Sequence, residues 1–270
     1  MSQKIEFTKN QIQDMYDLYY NKLKPISYLR KKYGYSQTVY ERIFKENGWK
    51  FRPQDFKFSK YSVDETYFDV IDTPDKAYIL GLLYADGCNH PETKLITLEL
   101  QIDDYELLQQ INNAFHNTRP IMITDCTKSK NRKKDTATIK LFSEHLSKRA
   151  IELNLVPRKS LILDFPYWMD KELIPYMLRG YIDGDGWIQK HRIGFMSTDK
   201  FCEGVKEYFD SMGLECHIRD LKRHYNAHTK TFDITNRNNI IPLTNMMFSD
   251  GNIFMKRKVD KYIQYGFLTK

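Results

Sequence analysis

Two aspartates occupy matching places in two similar apolar segments of the sequence. One segment reads AYILGLLYADG and the other reads YMLRGYIDGDG, so that Gly81 precedes Asp86 by five positions and Gly180 precedes Asp185 by five. Two carboxylates brought together repel each other unless a cation lies between them, and oxygen ligands with open water positions suit Mg²⁺. Paired carboxylates holding such an ion are a common device for displacement at a phosphate.

Both segments are predicted to be helices that pack on each other. A glycine within a helix costs ~1 kcal/mol relative to alanine, so Gly81 and Gly180 indicate a close backbone contact. If the helices cross there, Asp86 and Asp185 meet at the helix C-termini, where a cation would also offset the negative end of each helix dipole. For one segment alone, an Asp-Gly pair that merely ends a helix is the simpler explanation. The repeat after 99 residues favours a shared site.

The two segments resemble the LAGLIDADG motif of homing endonucleases. The nine-residue motif ends at Gly87 in the first copy and at Gly186 in the second, which places Asp86 and Asp185 at the position of the family's metal-binding acid. The first copy departs from the family at the sixth motif position, where Tyr84 replaces an aspartate.

The resemblance implies further site residues. The carbonyls of Ala85 and Gly184 would join the two aspartates in binding divalent Mg²⁺ ions, two or three of which the aspartates would share. Gln101 resembles the polar residue that the family places near metal and water, and Met196 is assigned to the same place in the second copy. The central-pocket lysines that active members possess are assigned to Lys159 and Lys258, with Arg158 and Lys256 as alternatives; lysines that only face phosphates are the other interpretation.

The resemblance also sets the fold class, which is α+β. Each half is expected to run helix, two strands, helix, two strands, helix, giving two pseudo-symmetric αββαββα LAGLIDADG halves with antiparallel saddle sheets, preceded by a small all-α helix-turn-helix domain. Antiparallel sheets of this kind leave one face for a partner. The predicted boundaries are 1–52 for the helical domain, 53–72 for a linker, 73–165 for the first half and 166–270 for the second.

The positive charge of the chain is concentrated at its start. The formal net charge is +7, and the first 60 residues hold 13 lysines and arginines against 6 acidic residues, which accounts for the whole excess. Clustered positive charge is the electrostatic footprint of nucleic-acid binding.

Residues 26–49 resemble the helix-turn-helix of resolvase-like and transposase-like DNA-binding domains. Gly34 suits the turn, and Ser36 is predicted to cap a recognition helix that ends at Asn47. A three-helix bundle that binds protein is the alternative. The outward, DNA-contacting residues of this helix are predicted to be Gln37, Thr38, Tyr40, Arg42 and Lys45.

Two hairpins in the LAGLIDADG halves supply further basic residues. In the family, the antiparallel sheets lie in the major groove on either side of the cut, where arginine and lysine can reach phosphates and base edges. The residues predicted to contact DNA there are Lys128, Lys130, Arg132, Lys133, Lys134, Lys222 and Arg223.

The function predicted from this resemblance is site-specific, double-strand cleavage of DNA. The resemblance implies a Mg²⁺-dependent monomer that hydrolyses a long asymmetric target to short 3′ overhangs and serves intron mobility. An RNA maturase for intron splicing and a DNA-binding regulator without cleavage are the alternatives. A mean hydropathy of -0.62 and the lack of a long apolar run argue against a transmembrane helix. The four cysteines form no zinc-binding pattern and fit a reducing compartment, so a cytoplasmic place in a bacterial or phage-infected cell is expected.

Overall fold

The chain divides into two compact units, residues 1–60 and 61–270. These are the units of a computed structural model, which describes residues 7–22, 24–50, 61–128, 134–220 and 229–269. No helix within these ranges has both the length and the apolar character that crossing a membrane requires.

The described residues of the smaller unit form three α-helices, α1 (Lys9–Tyr16), α2 (Ile26–Tyr33) and α3 (Gln37–Glu46). Thr8 caps α1 through a reciprocal capping box, and a π-helical turn follows α1 directly. Gly34 ends α2 with φ 79°, a left-handed conformation that costs glycine little, and so allows the sharp turn into α3. The unit has its own buried core, which consists of Met15, Leu18, Tyr19, Leu29, Tyr40, Ile43 and Phe44.

The larger unit contains two halves with the same order of elements. The first half comprises α4 (Pro74–Asp86), β1 (Gly87–His90), β2 (Leu95–Gln101), α5 (Tyr105–Ala114), β3 (Met122–Thr124), β4 (Thr136–Phe142) and α6 (Glu144–Glu152). The second half comprises α7 (Ile174–Asp185), β5 (Trp187–Gln189), β6 (Arg192–Thr198), α8 (Asp199–Ser211), β7 (His217–Asp220), β8 (Thr229–Ile234) and α9 (Arg237–Met247), and α10 (Lys256–Gln264) follows it. This order confirms the predicted α+β fold of two αββαββα halves.

The helices α4 and α7 pack on each other at the centre of the larger unit. Thr73 caps α4 and Pro74 occupies its first turn, a position where proline costs no hydrogen bond. The eight residues from Ala77 to Tyr84 are all buried, as are the ten from Ile174 to Asp183. Helices that are apolar nearly all round belong in an interior, so this pair forms the shared core of the two halves.

Each half contributes one four-stranded antiparallel sheet, with strand orders β1-β2-β4-β3 and β5-β6-β8-β7. In β2 the side chains alternate, with Ile96, Leu98 and Leu100 buried while Glu99 and Gln101 are exposed. One sheet face therefore packs on the core helices, and the other face is open to a partner.

The predicted linker differs from the structure over residues 61–72, which pack on the first half. Phe68 is completely buried and contacts Phe115, and the Asp64 amide donates to the Phe115 carbonyl. A short sequence without helical or strand periodicity can still supply a core side chain, and here Phe68 does so. Residues 53–60, the rest of the predicted linker, lie outside the described residues.

Candidate metal centre between two packed helices

The glycines of the two motifs lie where α4 and α7 approach most closely. A Cβ atom at Gly81 would stand 1.9 Å from the carbonyl oxygen of Met177, and one at Gly180 would stand 2.0 Å from that of Tyr78. Any side chain at these positions would push the helices apart. The structure thus has the close backbone contact between the two helices that Gly81 and Gly180 predicted.

This packing brings the two motif acids together. A Cβ atom at Gly184 would lie 2.8 Å from Oδ2 of Asp86 and 2.4 Å from the Cβ of Ala85. The carboxylate of Asp86 therefore lies against the residue that directly precedes Asp185. Both acids retain exposed side-chain surface, so the site opens to solvent.

The pKa values of both carboxyl groups are raised. Although part of each side chain reaches solvent, surrounding atoms desolvate the carboxyl groups, and this raises the pKa of Asp86 to about 6. The charge of Asp185 adds to the rise, while Lys159 and Lys258 oppose it. Desolvation also raises the pKa of Asp185. The positive charge of the two lysines thus only partly offsets the cost of burying the two carboxylates.

Two lysines anchor the backbone beside the acids. Nζ of Lys159 donates to the carbonyl oxygens of Ala85 at 3.1 Å and Gly87 at 2.6 Å. Nζ of Lys258 donates to those of Ile182 at 3.0 Å and Gly186 at 2.5 Å.

The lysines therefore occupy related places, since Gly87 and Gly186 each directly follow a motif acid. Desolvation lowers the pKa of Lys159, and it lowers that of Lys258 to about 8. Of the assigned alternatives, Arg158 and Lys256 are both exposed.

The residues at this centre fit a divalent cation. Two adjacent carboxylates with raised pKa values and open surface offer oxygen ligands and room for water, which is the donor set that Mg²⁺ prefers. The carbonyl of Ala85, which the family resemblance assigns to the metal, accepts the Lys159 hydrogen bond in this structure. Asp86 and Asp185 are therefore the principal candidate ligands.

The polar residue predicted near the site lies at the end of β2, where Gln101 is exposed and pairs with Thr136. The assignment of Met196 to the same place in the second half is wrong. Cys88 pairs with Thr97, and Trp187 pairs with Gly194, so the strand register matches Met196 with Glu99 and Thr198 with Gln101. Thr198 is buried, where its hydroxyl caps α8.

The sixth motif position differs between the halves in a way that the sequence alone leaves unexplained. Asp183 is buried and accepts hydrogen bonds from the hydroxyl of Tyr78 at 2.8 Å and the amide of Met255 at 3.1 Å. Asp183 of α7 thus links Tyr78 of α4 to Met255, which directly precedes the helix α10 that carries Lys258. Tyr84, at the same position of the first motif, donates instead to the Leu153 carbonyl. The replacement of aspartate by Tyr84 is the one sign of this asymmetry in the sequence.

The predicted recognition helix α3 presents some of its assigned residues outward. Thr38 and Lys45 are exposed, and Arg42 is half-buried with Nε 3.8 Å from Glu46. The assignment of Tyr40 to DNA is wrong. Its ring is completely buried, and its hydroxyl donates to the Leu29 carbonyl at 2.9 Å.

Tyr40 lies three and four residues before Ile43 and Phe44, which puts all three on one face of the helix. That face is the core face of the smaller unit. Gln37 lies at the start of α3, and nothing is described of its side chain.

Most of the predicted hairpin contacts fall outside the described residues, namely Lys130, Arg132, Lys133, Lys222 and Arg223. Lys128 ends a short 3₁₀ turn, and its side chain is likewise not described. Lys134 is exposed and pairs with Asp103 at 2.5 Å.

Comparison with known proteins finds a family match in the second half of the larger unit. A family model described as a LAGLIDADG-like domain matches residues 172–244, which run from just before α7 into α9. The predicted resemblance is confirmed, since these residues are similar to a LAGLIDADG-like domain. The smaller helical unit lies outside this match, and its helix-turn-helix assignment stays a prediction.

Solved structures with a similar fold include full-length DUF199/WhiA from Thermatoga maritima, at 13% identity and a TM-score of 0.45 over 75% of this chain and 64% of that one. The chain thus spans less than two thirds of that protein. The meganuclease I-SmaMI bound to uncleavable DNA matches at 13% identity and a TM-score of 0.45, over 68% of this chain and 86% of that one. I-DmoI in complex with DNA and Ca matches at 15% identity and a TM-score of 0.47, over 69% and 96%. No curated protein sequence matches the chain.

Proposed function

We propose that the chain is a site-specific DNA endonuclease that hydrolyses both strands in a Mg²⁺-dependent reaction. The observation that carries the proposal is the meeting of Asp86 and Asp185 at the ends of two helices packed through Gly81 and Gly180. The match of residues 172–244 to the LAGLIDADG-like family supports it, since that family includes homing endonucleases.

The proposed phosphodiester hydrolysis depends on positive charge placed near the reacting phosphate. Bound Mg²⁺ would supply Lewis-acid stabilisation of the phosphate and orient a water molecule. Asp86 and Asp185 would hold the ions, and bound cations would offset the desolvation that raises the pKa of both carboxylates. Lys159 and Lys258 add positive charge near the acids, where it would stabilise the charge that develops on the phosphate.

The open sheet faces would lie on DNA, one on each side of the cut. Because both halves belong to one chain and carry different side chains, the target should be asymmetric and a monomer should suffice. The basic helical unit would add phosphate and groove contacts beside this site.

A plasmid library with randomised inserts tests the proposal. Incubation with the full chain and Mg²⁺ should linearise a subset of plasmids, and sequencing of the ends should give one long site with short 3′ overhangs. Plasmids that remain uncut although the chain binds a defined duplex would favour a regulator without cleavage. Selective binding and processing of intron RNA instead would favour a maturase.

A further inference from the structure

An acidic residue is buried on the open face of the second sheet. Asp233 of β8 lies between Phe232 and Ile234, which belong to the core, so its side chain points to the opposite face. The residue is nevertheless only 1% exposed. Strand pairing places Gly194 of β6 and His217 of β7 on its two sides. Neighbouring side chains on this face must therefore cover it.

Two arginines from the adjacent strands flank the acid. Nη1 of Arg192 lies 4.0 Å from Oδ1 of Asp233, and Nη1 of Arg219 lies 4.0 Å from Oδ2. Within the described part of the chain, neither carboxylate oxygen has a hydrogen-bond partner. A buried carboxylate is costly unless positive charge compensates it, and these two guanidinium groups are placed to do so.

Asp233 and its neighbours pack closely around Gly194, which has no side chain. A Cβ atom at Gly194 would stand 2.7 Å from Cζ2 of Trp187 and 2.9 Å from Oδ1 of Asp233. The guanidinium of Arg192 also stacks over the Trp187 ring at 5.8 Å. The absent side chain at Gly194 thus lets tryptophan and acid approach each other.

The arginines remain available on their outer sides. The Arg192 side chain is 43% exposed and that of Arg219 is 57% exposed, whereas Asp233 beneath them is covered. Nη1 of each guanidinium faces the carboxylate, and Nε of Arg192 donates to Oε1 of Gln189 at 2.7 Å.

The first sheet has a different set of residues at the same places. The register matches Asp233 with Lys140, Arg219 with Met122 and Arg192 with Leu95. The arrangement of one acid and two arginines is therefore a property of the second half, and it distinguishes the two open faces chemically.

We propose that Asp233 is a positioning residue that holds Arg192 and Arg219 for recognition of two guanines in the half of the DNA target facing the second sheet. This inference rests on the proposed function. Arginine donates a bidentate pair of hydrogen bonds to O6 and N7 of guanine in the major groove. A guanidinium held in place by a carboxylate loses less side-chain entropy on binding, which sharpens this preference.

The positioning role is tested first without DNA. Because Nη1 of each arginine faces Asp233, correlation spectra of the arginine Nη–H groups in the full chain should show slow hydrogen exchange for Arg192 and Arg219, assigned with Arg192→Lys and Arg219→Lys. Asp233→Asn keeps the shape and should shift both signals and speed their exchange, while Asp260→Asn, an exposed control on α10, should change neither. Unchanged signals in Asp233→Asn would overturn the positioning role, whatever the chain does with DNA.

Selection of bound duplexes from a random pool, in Ca²⁺ buffer, tests the recognition role. Arg192→Ala and Arg219→Ala should each lose the preference for one guanine by about tenfold, and Asp233→Asn should weaken both preferences. Affinity for unrelated duplexes should not fall in Asp233→Asn, because the variant loses a negative charge. The matched control Lys140→Gln should retain both guanines.

Full guanine preference in Asp233→Asn, with its melting temperature unchanged, would overturn the recognition role. A wild-type chain that selects no duplex would overturn the proposed function and guanine recognition together. The exchange measurement on the free chain would still decide whether Asp233 positions the arginines.

Discussion

The carboxylate of Asp86 carries an unfavourable charge when no cation is bound beside it. Its pKa lies at about 6, against the usual 3.8, because of desolvation and the neighbouring Asp185. The folded chain therefore binds a proton that the unfolded chain has released, between about pH 4 and pH 6. Unfolding free energy should then fall as the pH rises through this window.

Asp86→Asn should remove this contribution. In chelator-containing buffer at pH 7 we expect the variant to be more stable than the wild type by about 1 kcal/mol, after allowance for solvent screening of a partly exposed group. The difference should vanish below about pH 4, where the side chain at position 86 is uncharged in both the wild type and the variant. Urea unfolding at several pH values measures it, with Asp260→Asn as control. An equal or lower stability of Asp86→Asn at pH 7 would contradict the charge account of the site.

The helices α4 and α7 position the two acids. Their close packing depends on the absence of side chains at Gly81 and Gly180. Gly81→Ala would place a Cβ atom 1.9 Å from the carbonyl oxygen of Met177 unless the helices moved apart. We expect a loss of about 3 kcal/mol or more in unfolding free energy. Gln110→Ala on the exposed side of α5 should stay within about 0.5 kcal/mol. A stable Gly81→Ala variant with intact helix packing would show that the two helices adjust easily.

The sequence predicted correctly those helices whose residue patterns are local and strong. Two apolar helices ending in Asp-Gly could be read directly, and their glycines indicated where they cross. The matching of Met196 with Gln101 failed because the pairing of Cys88 with Thr97 and of Trp187 with Gly194 sets the strand register, and the sequence does not show that pairing. Tyr40 was misplaced because a tyrosine has both a polar and an apolar end, and burial of its ring decides its direction.

Other features depend on contacts between distant strands or helices. The pairing of Asp183 with Tyr78 joins residues 105 positions apart. The covering of Asp233 by two arginines depends on strand register, which no local pattern in the sequence fixes.

At the scale of the whole molecule, charge and candidate chemistry belong to different units. Residues 61–270 contain 29 basic and 29 acidic residues, so the excess of seven positive charges lies in the helical unit. Binding strength and cut position should therefore be separable.

Removal of residues 1–60 should weaken DNA binding and flatten its salt dependence, by roughly 0.9 in the logarithmic slope for each phosphate that the chain no longer neutralises. The protected DNA should shorten on one side, while the cut position and overhang stay the same. Footprinting and salt titration measure these effects, with a melting curve to show that residues 61–270 remain folded. An unaltered footprint and slope would indicate a protein-binding bundle instead.

The most direct test of the account is cleavage by variants of the two motif acids at the selected target site. Asp86→Asn and Asp185→Asn should each lose double-strand cleavage by at least about 100-fold in single-turnover reactions with Mg²⁺, since even outer partners of metal ligands cost up to that factor. Binding of the uncut duplex should be largely retained, and Asp260→Asn should cut like the wild type. Full cleavage by either motif variant would contradict a metal centre built from Asp86 and Asp185.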